Sequence, residues 1–172
     1  LARHEQGGGF MAQGMARATG EVAVCLASSG PGATNLVTAI ADAKLDSIPL
    51  VAITGQVPRS MIGTDAFQEV DIYGMSIPIT KHNFLVGSAH ELLDVIPRAF
   101  RLAASGRPGP VLVDIPKDVQ NQIIEVAHWP EPGRADLAPL PETKLIERAA
   151  AMIESATRPI LYLGGGVVHS EA

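Results

Sequence analysis

One carboxylate near the start of the chain, Glu5, has an unusual setting for a charged residue. It stands in "RHEQGGGFMAQGMARATG" (3–20), among small and apolar residues at the edge of a predicted helix. A carboxylate on a helix usually faces solvent or pairs with an arginine. Whether Glu5 has a chemical role depends on the elements that lie around it.

A glycine-rich turn, "SGPGATN" (29–35), is the second candidate for chemistry. Free N–H groups at the start of the following helix could meet an anion or a polar ring. The alternative is a tight turn with an Asn or Thr near a helix cap, and the motif leaves both interpretations open. It is neither a Walker loop nor the dinucleotide G-x-G-x-x-G, because the lysine and the third glycine are missing.

Other reactive residue types carry weaker signals. The five histidines lack metal-ligand spacing, so we expect no metal site in this chain. Ser28 and Ser29 lack the G-x-S-x-G frame of a nucleophile elbow, and Cys25 fits a core position. Lys117 after "DIP" has a solvated loop lysine as its default interpretation, and "GGG" at 164–166 reads as a turn.

Apolar runs alternate with helical patterns over the first two thirds of the chain. The predicted strands are 21–29, buried on both faces, 48–55 and 109–116; the predicted helices are 33–45 and 88–106. Strand–helix–strand order predicts an α/β fold with a doubly wound parallel sheet. Ligands bind at the carboxyl ends of such strands, where "TGQVPRSMIGTDAFQE" (54–69) forms a long polar loop.

The remainder reads as a linker and the start of a second α/β domain. Four prolines in 125–143 indicate an extended linker, followed by a helix over 142–156 and a strand over 158–167. We therefore predict a domain at 1–122 that is incomplete at its N-terminus, a linker at 123–141 and a truncated domain at 142–172. Because both ends look cut, we expect the chain to be a fragment.

Composition narrows the class of protein. Apolar residues make up 47% and charged residues 18%, the net charge is −5, and there is no basic run, which argues against a nucleic-acid partner. The single cysteine fits a reducing compartment. The sequence has no membrane-spanning stretch and no signal-peptide pattern at its start, so we expect a cytoplasmic protein.

Together the motifs resemble one family. "RHEQGGGFMAQGMARATG", "SSGPGATNLVTAIADAKLDSIPLVAITGQVP", "IGTDAFQEVDIYGMSIPITKHNFLV" and "SGRPGPVLVDIPKDVQ" resemble the acetohydroxyacid synthase (acetolactate synthase) catalytic subunit of the enterobacterial isozyme I type. The resemblance implies a thiamine-diphosphate enzyme whose pyrimidine-binding domain comes first. It also implies Mg²⁺, with ligands outside this chain, and FAD that is not used for redox chemistry.

The resemblance assigns site residues position by position. Those implied at the catalytic centre or cofactor are Glu5 on the aminopyrimidine, Pro31 and Gly32 beside the ring, Phe67 and Gln68 toward cofactor and substrate, Lys117 at the substrate entrance and Arg107 on FAD. Those implied at the herbicide-binding surface are Pro58 and Ala66. The family role of Glu5 requires an apolar setting that raises its pKa and lets it share a proton with the ring.

One departure from the family is local. The family usually has Ala where this chain has Gly8, so Gly7, Gly8 and Gly9 are consecutive. An extra glycine lowers helix stability by up to ~1 kcal/mol relative to alanine. We expect a looser first turn after Glu5 with the carboxylate retained.

The implied reaction is decarboxylation of pyruvate and condensation with a second 2-keto acid, pyruvate or 2-ketobutyrate, early in branched-chain amino acid biosynthesis. The implied partners are a second copy in a homodimer, with active sites at the subunit interface, and a small regulatory subunit. Two alternatives stay open: another thiamine enzyme such as pyruvate oxidase or glyoxylate carboligase, and a non-catalytic α/β module. Glyoxylate carboligase lacks the catalytic Glu, so Glu5 argues against it. We expect residues 1–172 alone to be inactive.

Overall fold

A four-stranded parallel sheet organises the protein in the computed structural model, which describes residues 1–170. The strands are β1 (Ala23–Ala27), β2 (Leu50–Gln56), β3 (His82–Leu85) and β4 (Pro110–Pro116). Their order across the sheet is β1-β2-β4-β3, and every pair is parallel. The predicted α/β fold with a parallel sheet is confirmed.

Helices connect the strands and continue after the sheet. The α-helices are α1 (Glu5–Thr19), α2 (Pro31–Thr34), α3 (Val37–Leu45), α4 (Ile72–Ser76), α5 (Leu92–Ala104), α6 (Lys117–Gln120), α7 (Thr143–Ser155) and α8 (Gly165–His169). Two 3-10 turns, Arg59–Met61 and Ile77–Ile79, interrupt the loops. The chain divides into two compact units, 1–136 and 137 onward.

Each face of the sheet has its own apolar core. Residues of α1, α3 and α4 cover one face, with Leu36, Ile40 and Ile72 fully buried. Residues of α5 cover the other face together with Val86 and Val119. The two central strands, β2 and β4, are buried on both faces, which explains their continuous apolar sequences.

The first strand departs from its prediction. Ala23 and Cys25 are buried, but Val24 is 38% and Leu26 72% exposed, so the expectation of a strand buried on both faces is wrong. β1 lies at an edge of the sheet, and only one of its faces is covered by the described residues. Cys25 lies in the core as predicted, and burial raises its pKa to about 11.

Helix α1, which carries Glu5, is fixed at both ends and along one face. Nδ1 of His4 accepts a hydrogen bond from the N–H of Gln6, and Gly20 ends the helix in the left-handed conformation. A Cβ on Gly9 would lie 2.6 Å from Cβ of Ala39 in α3. Close approach of the two helices therefore requires a glycine at position 9.

Several element boundaries differ from the sequence expectation. The predicted helix over 33–45 is two helices, and the predicted helix over 88–106 begins at Leu92 because residues 88–91 form a turn. Sequence analysis did not predict β3. It is only four residues long, and it forms a strand by pairing with β4.

Residues 137–170 of the second unit contain two helices. α7 confirms the predicted helix over 142–156, whereas the predicted strand over 158–167 is wrong. In the described residues of this unit, no neighbouring strand is present to pair with it, and an isolated strand has no partner for its backbone hydrogen bonds. Residues 165–169 form α8 instead.

Candidate functional site

The carboxyl ends of β1 and β2 bring Glu5 together with the glycine-rich turn. Glu5 is the first residue of α1 and is half-buried. Its Oε2 accepts a hydrogen bond of 3.0 Å from Nδ2 of Asn35, the residue that follows α2. This contact joins two motifs that lie 30 residues apart in the sequence.

Gly32 lies close to both Ser28 and this carboxylate, so the turn has no room for a side chain at position 32. A Cβ at position 32 would overlap Oγ of Ser28 and would lie 3.4 Å from Oε1 of Glu5. Since Asn35 bonds the other carboxylate oxygen, Oε1 is the atom that faces this turn. A side chain at position 32 would therefore contact both the turn itself, at Ser28, and the carboxylate of Glu5.

The long loop after β2 approaches the same turn. Gly30 has a φ of 60°, and a Cβ there would lie 2.7 Å from Cα of Gln68. Gln68 and Asp65 themselves have left-handed backbone, with φ of 60° and 55°. Non-glycine residues rarely adopt this conformation, and they concentrate at functional sites.

The electrostatic setting of Glu5 differs from the expectation. The hydrogen bond from Asn35 and a backbone N–H hold the pKa of Glu5 below its ordinary value of 4.5. This direction is opposite to the raised pKa that the family role requires, because the carboxylate is not deeply buried and partial desolvation does not offset these donors. Glu5 is therefore ionised near neutral pH.

The residues predicted for the substrate and herbicide surface lie along this loop. Pro58 and Ala66 are half-buried, whereas Gln68 is exposed and Phe67 is 88% exposed. Nothing in the described chain covers Phe67, so its side chain is free to contact a ligand. Their roles stay predictions.

Lys117 and Pro31 occupy the starts of short helices at the same edge. Lys117 begins α6 directly after β4 and is exposed. Its neighbour Asp118 accepts hydrogen bonds from N and Nε of Arg59, at 3.0 and 2.7 Å, which ties α6 to the loop that contains Pro58. Pro31 is the first residue of α2 and is also exposed.

Arg107 lies at the opposite edge of the sheet. It precedes β4, and it donates to Oγ of Ser47 at 2.7 Å and to the carbonyl of Leu45 at 3.1 Å, both of which precede β2. The structure therefore does not bring Arg107 together with Glu5. Its predicted contact with FAD would belong to a separate surface.

Sequence analysis missed two groups of residues at the carboxyl edge. Asn35 was considered only as a cap, although its amide contacts Glu5. Thr54, Gln56 and Asp114 form a buried polar network between β2 and β4. Polar residues inside otherwise apolar strands were the available signal.

Two kinds of feature are absent from residues 1–170. No cluster of His, Cys, Asp or Glu in this range could hold a metal ion. None of the helices described there is long and apolar enough to cross a membrane.

Comparison with known proteins defines the class. Residues 1–75 match the family model described as "Thiamine pyrophosphate enzyme, N-terminal TPP binding domain". These residues include Glu5, the glycine-rich turn and Gln68. Over these residues the chain is similar to the N-terminal domain of the thiamine pyrophosphate enzymes.

Within that class, the similar proteins are acetolactate synthases. The whole chain is 66% identical to the acetolactate synthase isozyme 1 large subunit of Escherichia coli K12 and 54% identical to the acetolactate synthase large subunit of Corynebacterium glutamicum. Over 99% of its length it is 54% identical to acetolactate synthase 2, chloroplastic, of Nicotiana tabacum. The predicted resemblance is confirmed. The chain spans 31%, 28% and 26% of the lengths of these three relatives.

Proposed function

We propose that residues 1–136 hold the aminopyrimidine ring of thiamine diphosphate in an acetolactate synthase large subunit. The observation that supports this proposal is the arrangement of Glu5, Asn35 and Gly32. Asn35 orients the carboxylate through Oε2, and the glycine at position 32 lets the turn backbone approach Oε1 without a side chain in contact with it. These residues fit a flat ring with a nitrogen that can share a proton with a carboxylate.

Glu5 would hold and move a proton at Oε1. The bound cofactor would supply the carbon nucleophile and the electron sink that decarboxylation of a 2-keto acid requires. A ring placed on Glu5 would exclude water from the carboxylate, and desolvation raises a carboxyl pKa. Binding would thus shift Glu5 from the lowered pKa of the free chain toward the range in which a proton is shared.

Other residues of the carboxyl edge would serve the substrates. Phe67 and Gln68 would face pyruvate and the second 2-keto acid, and Lys117 would attract their carboxylates from the exposed start of α6. Mg²⁺ would be held by ligands outside this chain. FAD would contact Arg107 at the other edge of the sheet.

The proposal includes a homodimer and a small regulatory subunit. Helix α1 supports an interface near Glu5, because its side chains Phe10, Met11 and Met15 are 41%, 60% and 63% exposed. Apolar side chains grouped on one helix commonly mark a protein interface. We propose that a second copy of the chain covers them.

The experiment measures acetolactate formed from pyruvate by a full-length large subunit that carries these residues, with thiamine diphosphate and Mg²⁺. Glu5→Gln removes the proton-sharing carboxylate and should lower turnover at least about 100-fold. The matched control is Glu21→Gln, an exposed glutamate beyond the end of α1, which should retain activity. Wild-type turnover by Glu5→Gln would contradict the proposal, and acetyl phosphate as the product would favour a pyruvate oxidase.

A further inference from the structure

The loop between β2 and α4 has little regular secondary structure to fix its conformation. Residues 57–71 contain a single 3-10 turn, and Asp65 and Gln68 have left-handed backbone. Regular hydrogen-bond ladders therefore do not hold this loop in place. Its ends, however, meet one buried side chain.

That side chain is Gln56, the last residue of β2, which is 5% exposed. Its Oε1 accepts the N–H of Val57 at 2.8 Å, and its Nε2 donates to the carbonyl of Val70 at 2.8 Å. One amide group thus binds the first residue of the loop and a residue near its end. The loop is closed by a side chain rather than by a backbone pair.

Asp114 in β4 fixes the orientation of this amide. Its Oδ2 accepts the second hydrogen of Gln56 Nε2 at 3.1 Å, and its Oδ1 accepts the hydroxyl of Thr54 at 2.7 Å. Asp114 is fully buried, and Thr54 is 1% exposed. A flipped Gln56 amide would place its oxygen against both Asp114 and the Val70 carbonyl, so the carboxylate permits a single orientation.

We propose that Asp114 is a positioning residue that, through Gln56, holds both ends of the 57–70 loop and so presents Phe67 and Gln68 beside the Gly30 turn. The hydrogen bonds of Gln56 and Asp114 given above support the part of the proposal that concerns the loop. The part that concerns catalysis rests on the function proposed for Glu5. A buried carboxylate suits this task because it accepts two hydrogen bonds and offers no competing donor.

The first test is site-resolved amide hydrogen exchange on the 172-residue chain. Asp114→Ala should speed the exchange of Val57 and of the 57–70 segment about tenfold or more, because the Gln56 amide loses its fixed orientation. Amides of β1 and α5 serve as the internal reference and should change much less. Equal acceleration at all sites would show a general loss of stability and would overturn the proposal.

Two further variants keep the test decisive. Asp114→Asn has the same shape, with an oxygen for Gln56 and an amide that can donate to Thr54 Oγ1, and should restore exchange to within about threefold of wild type. Gln56→Met keeps the volume of the side chain but removes both loop contacts, so it should also speed the exchange of the 57–70 segment about tenfold or more. It provides the same test if Asp114→Ala does not fold. Wild-type exchange of the loop in Gln56→Met would contradict the proposal.

The catalytic consequence is tested in a full-length large subunit that carries these residues. Asp114→Ala should lower kcat/KM for pyruvate about tenfold or more, and Asp114→Asn should recover most of the loss. Equal kcat/KM in Asp114→Ala and wild type would overturn the positioning role. A wild-type protein that forms no acetolactate would reject the proposed function, while the exchange result would still decide whether Asp114 fixes the loop.

Discussion

Two carboxylates at the carboxyl edge of the sheet show how one chemical group serves two purposes. Glu5 and Asp114 each accept a hydrogen bond from a side-chain amide, Asn35 for the first and Gln56 for the second. Their pKa values shift in opposite directions. Donors lower the pKa of Glu5, whereas burial raises the pKa of Asp114 from 3.8 to about 6, with a smaller contribution from Asp71.

Burial, rather than hydrogen bonding, accounts for the difference between the pKa shifts of the two carboxylates. Both groups receive similar donors, so the difference lies in the water that reaches them. Only Oε2 of the half-buried Glu5 accepts a side-chain hydrogen bond, so Oε1 can meet a ligand. Asp114 is enclosed, its oxygens are used by Thr54 and Gln56, and its role is internal.

The largest expected effect is the pH dependence of stability that Asp114 causes. Its folded pKa of about 6 exceeds the ordinary 3.8, so the folded state binds more protons between these values. The free energy of unfolding should therefore fall as pH rises from 4 to 6, by on the order of 3 kcal/mol. Asp114→Asn should remove this component of the slope, which urea unfolding at several pH values would measure.

A control for this prediction is Asp42→Asn, which also removes one half-buried carboxylate, on α3, and so separates a general charge effect from the effect of Asp114. If the wild type and Asp114→Asn showed the same slope, the assignment of the raised pKa to Asp114 would be rejected.

The next effect concerns the helix that presents Glu5. Gly9→Ala should destabilise the chain by about 2 kcal/mol, because its Cβ would lie too close to Ala39. Gly8→Ala should stabilise it by up to about 1 kcal/mol, since its Cβ would lie 3.5 Å from Ala2 and the helix gains propensity. Thermal unfolding measures the change in stability of each variant. An equal change in stability in the two variants would contradict the packing described for α1 and α3.

A smaller effect is expected at the space beside Glu5. Gly32→Ala should change stability little, because the exposed Ser28 side chain can rotate away from the new methyl group. The methyl group would nevertheless narrow the space beside Oε1 of Glu5. In a full-length large subunit, we expect about tenfold weaker binding of thiamine diphosphate, roughly the loss that one displaced contact produces. Unchanged affinity for thiamine diphosphate would indicate that the aminopyrimidine ring does not bind beside Gly32.

The parallel sheet and its central strands could be predicted from the sequence, because short continuous apolar runs such as 48–55 are typical of strands buried on both faces. It was insufficient for β1, whose exposed face follows from its edge position, and for β3, whose pairing comes from a distant strand. For the site, the resemblance selected Glu5 and Gln68. It could not show that Asn35 lowers the pKa of Glu5, because that contact spans 30 residues.

A carboxyl ¹³C NMR titration of Glu5 and Asp114 in one sample of the chain measures both carboxylates directly. Glu5 should titrate below its ordinary 4.5 and Asp114 at about 6. Asn35→Ala should move the midpoint of Glu5 upward and leave that of Asp114 in place. A Glu5 midpoint above that of Asp114 would contradict the distinction between the two carboxylates, in which exposure leaves Glu5 available to a ligand and burial leaves Asp114 to fix the loop.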